Sequence, residues 1–439
     1  MHSHGDSVKR FLVTVTAGIL LSIPVLAWIP KGNNIKTKWA GEVSPENSRT
    51  EYPRPHMVRK DWKSLNGLWD YSITGKDEIR MGKKEGDILV PFCVESSLSG
   101  VCRRIDKDQI LWYRTTIKAP FEWTGKRILL HFDAVDWKAE VFLNGKAMGT
   151  HTGGYTSFGF DVTEELKNGQ AELVVKVWDP TDAPEFSIPR GKQKIGHSNI
   201  WYTPVTGIWQ SVWLEAVADA YVDDYNVIAS PDGLMEVAVD VKGKADEARI
   251  EILYPKVGYN PEKPAWGLLK KAKAKVGLCS TASVGIGTQA DSGISSVKTI
   301  LKIRNPKAWS PDNPWLYGLR IKLYKGGKLI DRVDGYTALR SIGIKSDAAG
   351  VKRLALNGKI LFQFGPLDQG WWPDGLYTAP TAEAMMWDVV QTKAMGFNMI
   401  RKHIKVEPAR WYYDCDRLGI LVWQDMPCIG KFRKGDWAQ

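Results

Sequence analysis

The sequence is short of almost everything that would point to metal, redox or nucleic-acid chemistry. It has only five cysteines in 439 residues. They are Cys93, Cys102, Cys279, Cys415 and Cys428, an odd number with no metal-ligand spacing. A chain of this length buries enough surface to need no disulfide framework. Cys93 and Cys102 are near enough to bridge in an oxidising compartment; buried free thiols are the other reading. No basic stripe accompanies a recognisable reading module, which argues against a nucleic-acid partner although the net charge is +11. The lysines are scattered among acids, apart from one cluster at Lys270, Lys271, Lys273 and Lys275, and a solvated face accounts for them. There is no internal repeat, and no apolar run reaches the roughly 20 residues of a membrane span.

What the N-terminus does have is a leader pattern. Lys9 and Arg10 precede an apolar run from Phe11 to Trp28, with Pro24 near its end and Val25-Leu-Ala27 as a small-residue cleavage site. Cleavage after Ala27 is expected, giving an exported periplasmic or extracellular protein with no membrane attachment; an uncleaved anchor is the alternative. Tryptophan is abundant, at 20 residues. Indole faces suit the apolar faces of sugars, and they equally suit cores.

From Tyr52 to Ala216, short alternating runs recur between turn signals. Arg127-Ile-Leu-Leu-His-Phe132, Ala139-Glu-Val-Phe-Leu143 and Glu172-Leu-Val-Val-Lys-Val-Trp178 read as strands, and Asn144-Gly145 as a tight hairpin. With no helical period between them, these runs predict a jelly-roll β-sandwich. A second β-region, about Asp219 to Ile344, includes Leu234–Val241, Arg249–Leu253 and Gly318–Tyr324 and suits an immunoglobulin-like sandwich. Within it, Ser280 to Ser296 reads as a mobile loop. After Lys345 the pattern changes. Ile360 to Gly365 reads as a strand, Thr381 to Met395 as a capped helix, and Asn398 to Arg401 as a strand. Pro408 to Leu418 then reads as a second helix and Ile420 to Trp423 as a third strand. Alternation of this kind predicts a parallel sheet. The expected organisation is a leader at 1–27, a linker at 28–51, a jelly roll at 52–217, a second sandwich at 218–344, and a parallel unit at 345–439.

Several segments in order resemble glycoside hydrolase family 2, the β-galactosidase, β-glucuronidase and β-mannosidase group. They are Val90 to Val101 with Trp112-Tyr-Arg114, Val141-Phe-Leu-Asn-Gly-Lys146 with Gly149 to Tyr155, Trp201 to Gln210, Trp309-Ser-Pro311 with Pro314 to Tyr317, Gly335 to Gly343, Gly396 to Arg401, and Tyr413 to Gly419. The resemblance implies that residues after Lys345 are the first three strands of a (β/α)8 TIM barrel. It also implies hydrolysis of O-glycosyl bonds by a retaining double displacement; no cofactor and no metal are expected from the residues themselves. Such chemistry needs two carboxyl groups roughly 5 to 5.5 Å apart. In the family these are glutamates after the fourth and seventh barrel strands. The sequence ends after the third, so neither is expected before Gln439 and the chain is expected to be an inactive fragment.

Substrate contacts are expected nonetheless. Arg401 falls where the family has an arginine that organises the active-site carboxylates, a task that suits its charged fork. His403 lies near the family's histidine, although Arg-Lys-His stands where Arg-Thr-Ser-His is usual. Asp425 matches the acidic end of the third strand. Trp371 and Trp372, with Asp368 and Asp374, occupy the place of a missing His-Glu-Asp element; they form either a sugar platform or packing against the first sandwich. Asp182 lies in a polar loop leaving that sandwich. The rival reading is a non-catalytic carbohydrate-binding or surface-interaction protein. Against it, three parallel strands alone leave open edges and uncovered helices, so the segment after Lys345 should be protease-sensitive.

Overall fold

The structure, a computed structural model, describes residues 28–254, 277–286 and 293–429. The leader and the lysine cluster at 270–275 lie outside the described residues.

The first sandwich is built by alternation. Along Gln170–Trp178, Ala171, Leu173, Val175 and Val177 face inward while the residues between them face out, the period-2 pattern of a half-buried strand. This strand lies inside a six-stranded antiparallel sheet in the order Gly86–Val90, Gly67–Gly75, Gln109–Lys118, Gln170–Trp178, Lys138–Leu143, Lys146–Thr152. Opposite it stands a four-stranded sheet, Trp62–Ser64, Val212–Val217, Arg127–Phe132, Phe158–Asp161. Trp69, Tyr113, Leu130, Phe132 and Val175 fill the space between. The Asn144-Gly145 turn has φ of +49° and +78°, the left-handed pair that a two-residue hairpin demands.

The second sandwich packs a three-stranded sheet (Tyr221–Ala229, Leu234–Lys242, Ile294–Lys302) on a four-stranded one (Gly277–Gly285, Glu247–Tyr254, Tyr317–Lys325, Lys328–Thr337). The Ser280–Ser296 loop expectation fails at both ends. Ser280 to Gly285 pair with Glu247–Ile252, and Ile294 to Ser296 pair with Asp240–Lys242. Small polar residues are accepted there because these strands lie at sheet edges with one face in water; residues 287–292 lie outside the described set.

After a three-stranded hairpin unit (Ile342–Ser346, Lys352–Leu356, Lys359–Ile360), three parallel strands follow: Leu367–Asp368, Met399–Lys402 and Leu421–Gln424. The helix Ala382–Ala394 connects the first two and Ala409–Leu418 the second two. Thr381 caps the first helix, its hydroxyl accepting the Ala384 N–H at 3.0 Å. Gly419, at φ +75°, ends the second, a position that favours glycine. The expected strand Ile360–Gly365 is displaced: only Leu367–Asp368 pairs in parallel, and Phe362 and Phe364 are exposed. Alternating aromatics gave the run a strand-like period, although they meet only each other and Phe397 and stay largely open to solvent.

The helices are not left uncovered, contrary to what an isolated unit would show. The Trp309 indole donates to the Asp416 carbonyl at 2.6 Å, Lys393 donates to the Pro311 carbonyl at 2.6 Å, and the Tyr336 hydroxyl meets Asp416 at 3.0 Å. Nor is 28–51 only a linker. Trp39 stands edge-on to Trp372 and Trp387, and Thr37 donates twice to Asp374, at 2.8 and 2.7 Å. All five cysteines are unpaired, Cys93 and Cys102 included. Among the described residues, no helix is long and apolar enough to cross a membrane.

Candidate functional site

Residues at the carboxyl ends of the three parallel strands converge. The Met399–Lys402 strand, paired on both sides, carries Arg401, Lys402 and His403 out at its end. Arg401 forks onto Asp425 from the third strand, its Nε 3.2 and 3.1 Å from the two carboxylate oxygens and a terminal nitrogen at 3.0 Å. His403 Nδ1 reaches the same carboxylate at 2.9 Å. Slight burial pulls the Asp425 carboxyl up, but the hydrogen bonds from Arg401 and His403 outweigh it and the group ends below the usual carboxylate range. Arg401 and Asp425 remain open to solvent, so this is a preformed polar surface and not a core ion pair.

Beneath it lies a buried network that sequence reasoning missed. Alternation turns Lys402 inward, where its ammonium meets Asp368 at 2.6 Å and Glu407 at 2.8 Å. Lys405 meets Glu407 at 2.9 Å and the carbonyls of Gly370 and Tyr377 at 2.6 and 2.8 Å. Both lysines are only 1% exposed. Burial opposes both charges, yet the outcomes differ. Two carboxylates raise Lys402 above the ordinary lysine range, whereas Lys405, facing one shared carboxylate and the Lys402 charge, is pulled down to about 8. Asp368 is raised by burial and lowered more by Lys402, ending below its ordinary value. Residue types do not reveal such lysines, because lysine is normally a surface residue; the only trace was the Lys-His-Ile-Lys-Val-Glu spacing at a strand end.

The remaining predicted residues divide. Trp371 stacks on Tyr202 from the first sandwich (4.7 Å, 24°) and leans on Tyr377 (4.5 Å). Trp372 packs against Trp39. Both therefore serve as packing between the strand-end loop and the rest of the molecule. Asp182 does not join the cluster: its carboxylate accepts the Ile195 N–H at 3.2 Å. Its loop does arrive, because Arg190 and Gly191 donate their N–H groups to the Cys428 carbonyl at 3.1 and 3.3 Å. A Cβ on Gly191 would stand 2.7 Å from the Ile404 carbonyl, which holds that position to glycine.

Two sandwiches set before a short parallel sheet, with charged groups gathered at its strand ends, define a multidomain, mainly β protein whose candidate site lies between sandwich and sheet. Residues 97–193 match the glycosyl hydrolase 2 galactose-binding domain-like family, and residues 220–340 match glycosyl hydrolases family 2. A β-galactosidase of Thermoanaerobacter pseudethanolicus is 26% identical over 72% of this chain and 39% of its own length. A β-glucuronidase of Bacteroides fragilis is 25% identical over 85% of this chain and 50% of its own. The solved β-glucuronidase of Ruminococcus gnavus shares the fold with a TM-score of 0.66 at 20% identity, over 87% of this chain and 61% of that one. The chain belongs to glycoside hydrolase family 2. It spans 24% to 50% of the length of the curated relatives it matches.

Proposed function

We propose that this chain is the glycan-recognising part of a family 2 β-glycosidase that cleaves O-glycosyl bonds with retention. The reading rests on family membership together with the Arg401–Asp425–His403 surface at the parallel strand ends. Such a surface offers one bidentate cation, one acceptor pair and one ring nitrogen to sugar hydroxyls. Catalysis is assigned elsewhere for a chemical reason. A general acid in this reaction needs a raised carboxyl pKa, and both Asp368 and Asp425 are held below the ordinary range by cations. Glu407 is shared between two buried ammonium groups, which hold its charge in place. We therefore place the nucleophile and the acid/base on glutamates outside the described residues.

The test pairs hydrolysis with binding. The chain is assayed on nitrophenyl β-galactoside and β-glucuronide while binding of the matching methyl glycosides is followed by titration calorimetry. Binding without turnover is expected, weakened at least tenfold by Arg401→Gln. Turnover above blank would overturn the placement of the catalytic pair, and no binding of either sugar would overturn the glycan reading. Export belongs to the same proposal: mature protein from the native host should begin at Trp28, and an intact Met1 would count against it.

A further inference from the structure

The strand-end site pairs its own cations. Asp368, Glu407 and Asp425 face Arg401, Lys402 and Lys405, three anions against three cations. Beside it stand cations without such partners. The loop that docks on Ile404 and Cys428 carries Arg190, Lys192 and Lys194, and no carboxylate among the described residues pairs with any of them. Arg190 Nε is closed off from solvent and has no hydrogen-bond partner, a costly state for a charged donor.

The backbone explains why the lysines face outward together. Gln193 bridges to Tyr202, with Lys194 N–H donating to the Tyr202 carbonyl (2.9 Å) and Tyr202 N–H to the Lys192 carbonyl (3.0 Å). The Gln193 side chain is anchored inward, donating to Asp136 at 2.7 Å and accepting from Val205 N–H at 2.6 Å. In an extended stretch neighbours alternate sides, so Lys192 and Lys194 share the side opposite Gln193. Beneath them are aromatic faces: Lys192 Nζ is 5.9 Å from the Tyr202 ring, and Lys194 Nζ and the Arg190 guanidinium are 5.9 and 5.7 Å from Trp201. Tyr202 in turn stacks on Trp371. Aromatic faces under unpaired cations combine the two elements that an acidic sugar needs: a flat apolar surface for the ring, and charge for its substituent.

We infer that Arg190, Lys192 and Lys194, over Trp201 and Tyr202, form a subsite for an anionic substituent of the glycan, a carboxylate or a sulfate ester. The inference rests on the glycan reading above and extends it to the substrate's charge. The test uses the full chain and three disaccharide probes, identical except that the terminal sugar is glucose, glucuronic acid or glucose 6-sulfate. At low salt at least one charged probe should bind tenfold or more tighter than the neutral one, with the margin shrinking as salt rises. Whichever charged probe binds tighter identifies the source of the anion. In Lys192→Gln/Lys194→Gln the margin should fall below twofold with neutral binding unchanged, while Lys192→Arg/Lys194→Arg keeps it. Equal binding of all three probes by the unaltered chain overturns the subsite but leaves the glycan reading standing. A margin that survives in the double glutamine variant also overturns it. Binding of none of the three overturns the subsite, while the glycan reading stands or falls with the galactoside and glucuronide calorimetry above.

Discussion

At the scale of single residues, the most consequential groups are buried charges that composition does not reveal. Glu95 is one. Its Oε2 accepts the Thr206 N–H at 2.9 Å while Oε1 has no partner, and Asp179 approaches through the same threonine. Burial, aided by the Asp179 charge and opposed by the Thr206 hydrogen bonds, pushes Glu95 up to about 8. The folded state then holds a proton that the unfolded chain releases near pH 4.5, so stability falls as pH rises from about 4.5 to about 8. Every tenfold difference in proton affinity between the folded and unfolded states is worth about 1.4 kcal/mol. Glu95→Gln keeps the shape and removes the titration. It should match the parent near pH 4.5 and exceed it by roughly 3–5 kcal/mol at pH 8 in urea unfolding. A constant difference between the two across that range would show that Glu95 is not the group involved. That Arg401, His403 and Asp425 lie together was legible because the family resemblance set each of them at the end of a parallel strand. Lys402 and Lys405 were not, since nothing in a lysine's identity shows which way a strand turns it.

At the scale of elements, legibility followed signal strength. Thr381, Glu383 and Gly396 bracket a helix whose cap, charge and stop agree, and the helix lies within a residue or two of where they place it. The strand Arg127–Phe132 has the bounds that its alternation predicts. Failures came where pattern and environment diverge. Phe362 and Phe364 alternate as a buried strand does, yet both are exposed; the run Ser280–Gly285 is a strand because it pairs with Glu247–Ile252 and turns Ala282 and Val284 onto the core, an alternation that its small residues disguise. The cap carries its own prediction. Thr381→Ala leaves the Ala384 N–H without its acceptor and should cost about 1 kcal/mol, while Thr381→Ser should restore most of it. Equal midpoints for all three proteins in urea would show that the cap contributes nothing.

At the scale of the molecule, the parallel unit is too small to stand alone. Its strands are two to four residues long, and its own buried cluster holds nine residues around Trp411 and Met386. A core of that size rarely outweighs chain entropy. The sandwiches supply the rest, and Trp209 is where much of it passes. That side chain is fully buried, its indole donates to the Gly154 carbonyl at 2.7 Å, and its own carbonyl accepts the Thr378 hydroxyl at 2.6 Å. Tyr377 packs on it at 5.1 Å, and the Tyr377 hydroxyl meets that of Tyr155 at 3.0 Å. The same Tyr377 carbonyl receives Lys405, so the junction is continuous with the network under the candidate site. Trp209→Ala should therefore cost roughly 3–5 kcal/mol and be felt on both sides of the junction. In hydrogen exchange, protection should fall together in residues 134–155 and in 371–405, with the second sandwich, 221–254, unchanged. Loss confined to the first sandwich would mean that the parallel unit is held by its other contacts, among them Trp309 with Asp416 and Thr37 with Asp374. Joint loss would mean that the strand-end site keeps its geometry only while the sandwich beneath Trp209 is intact.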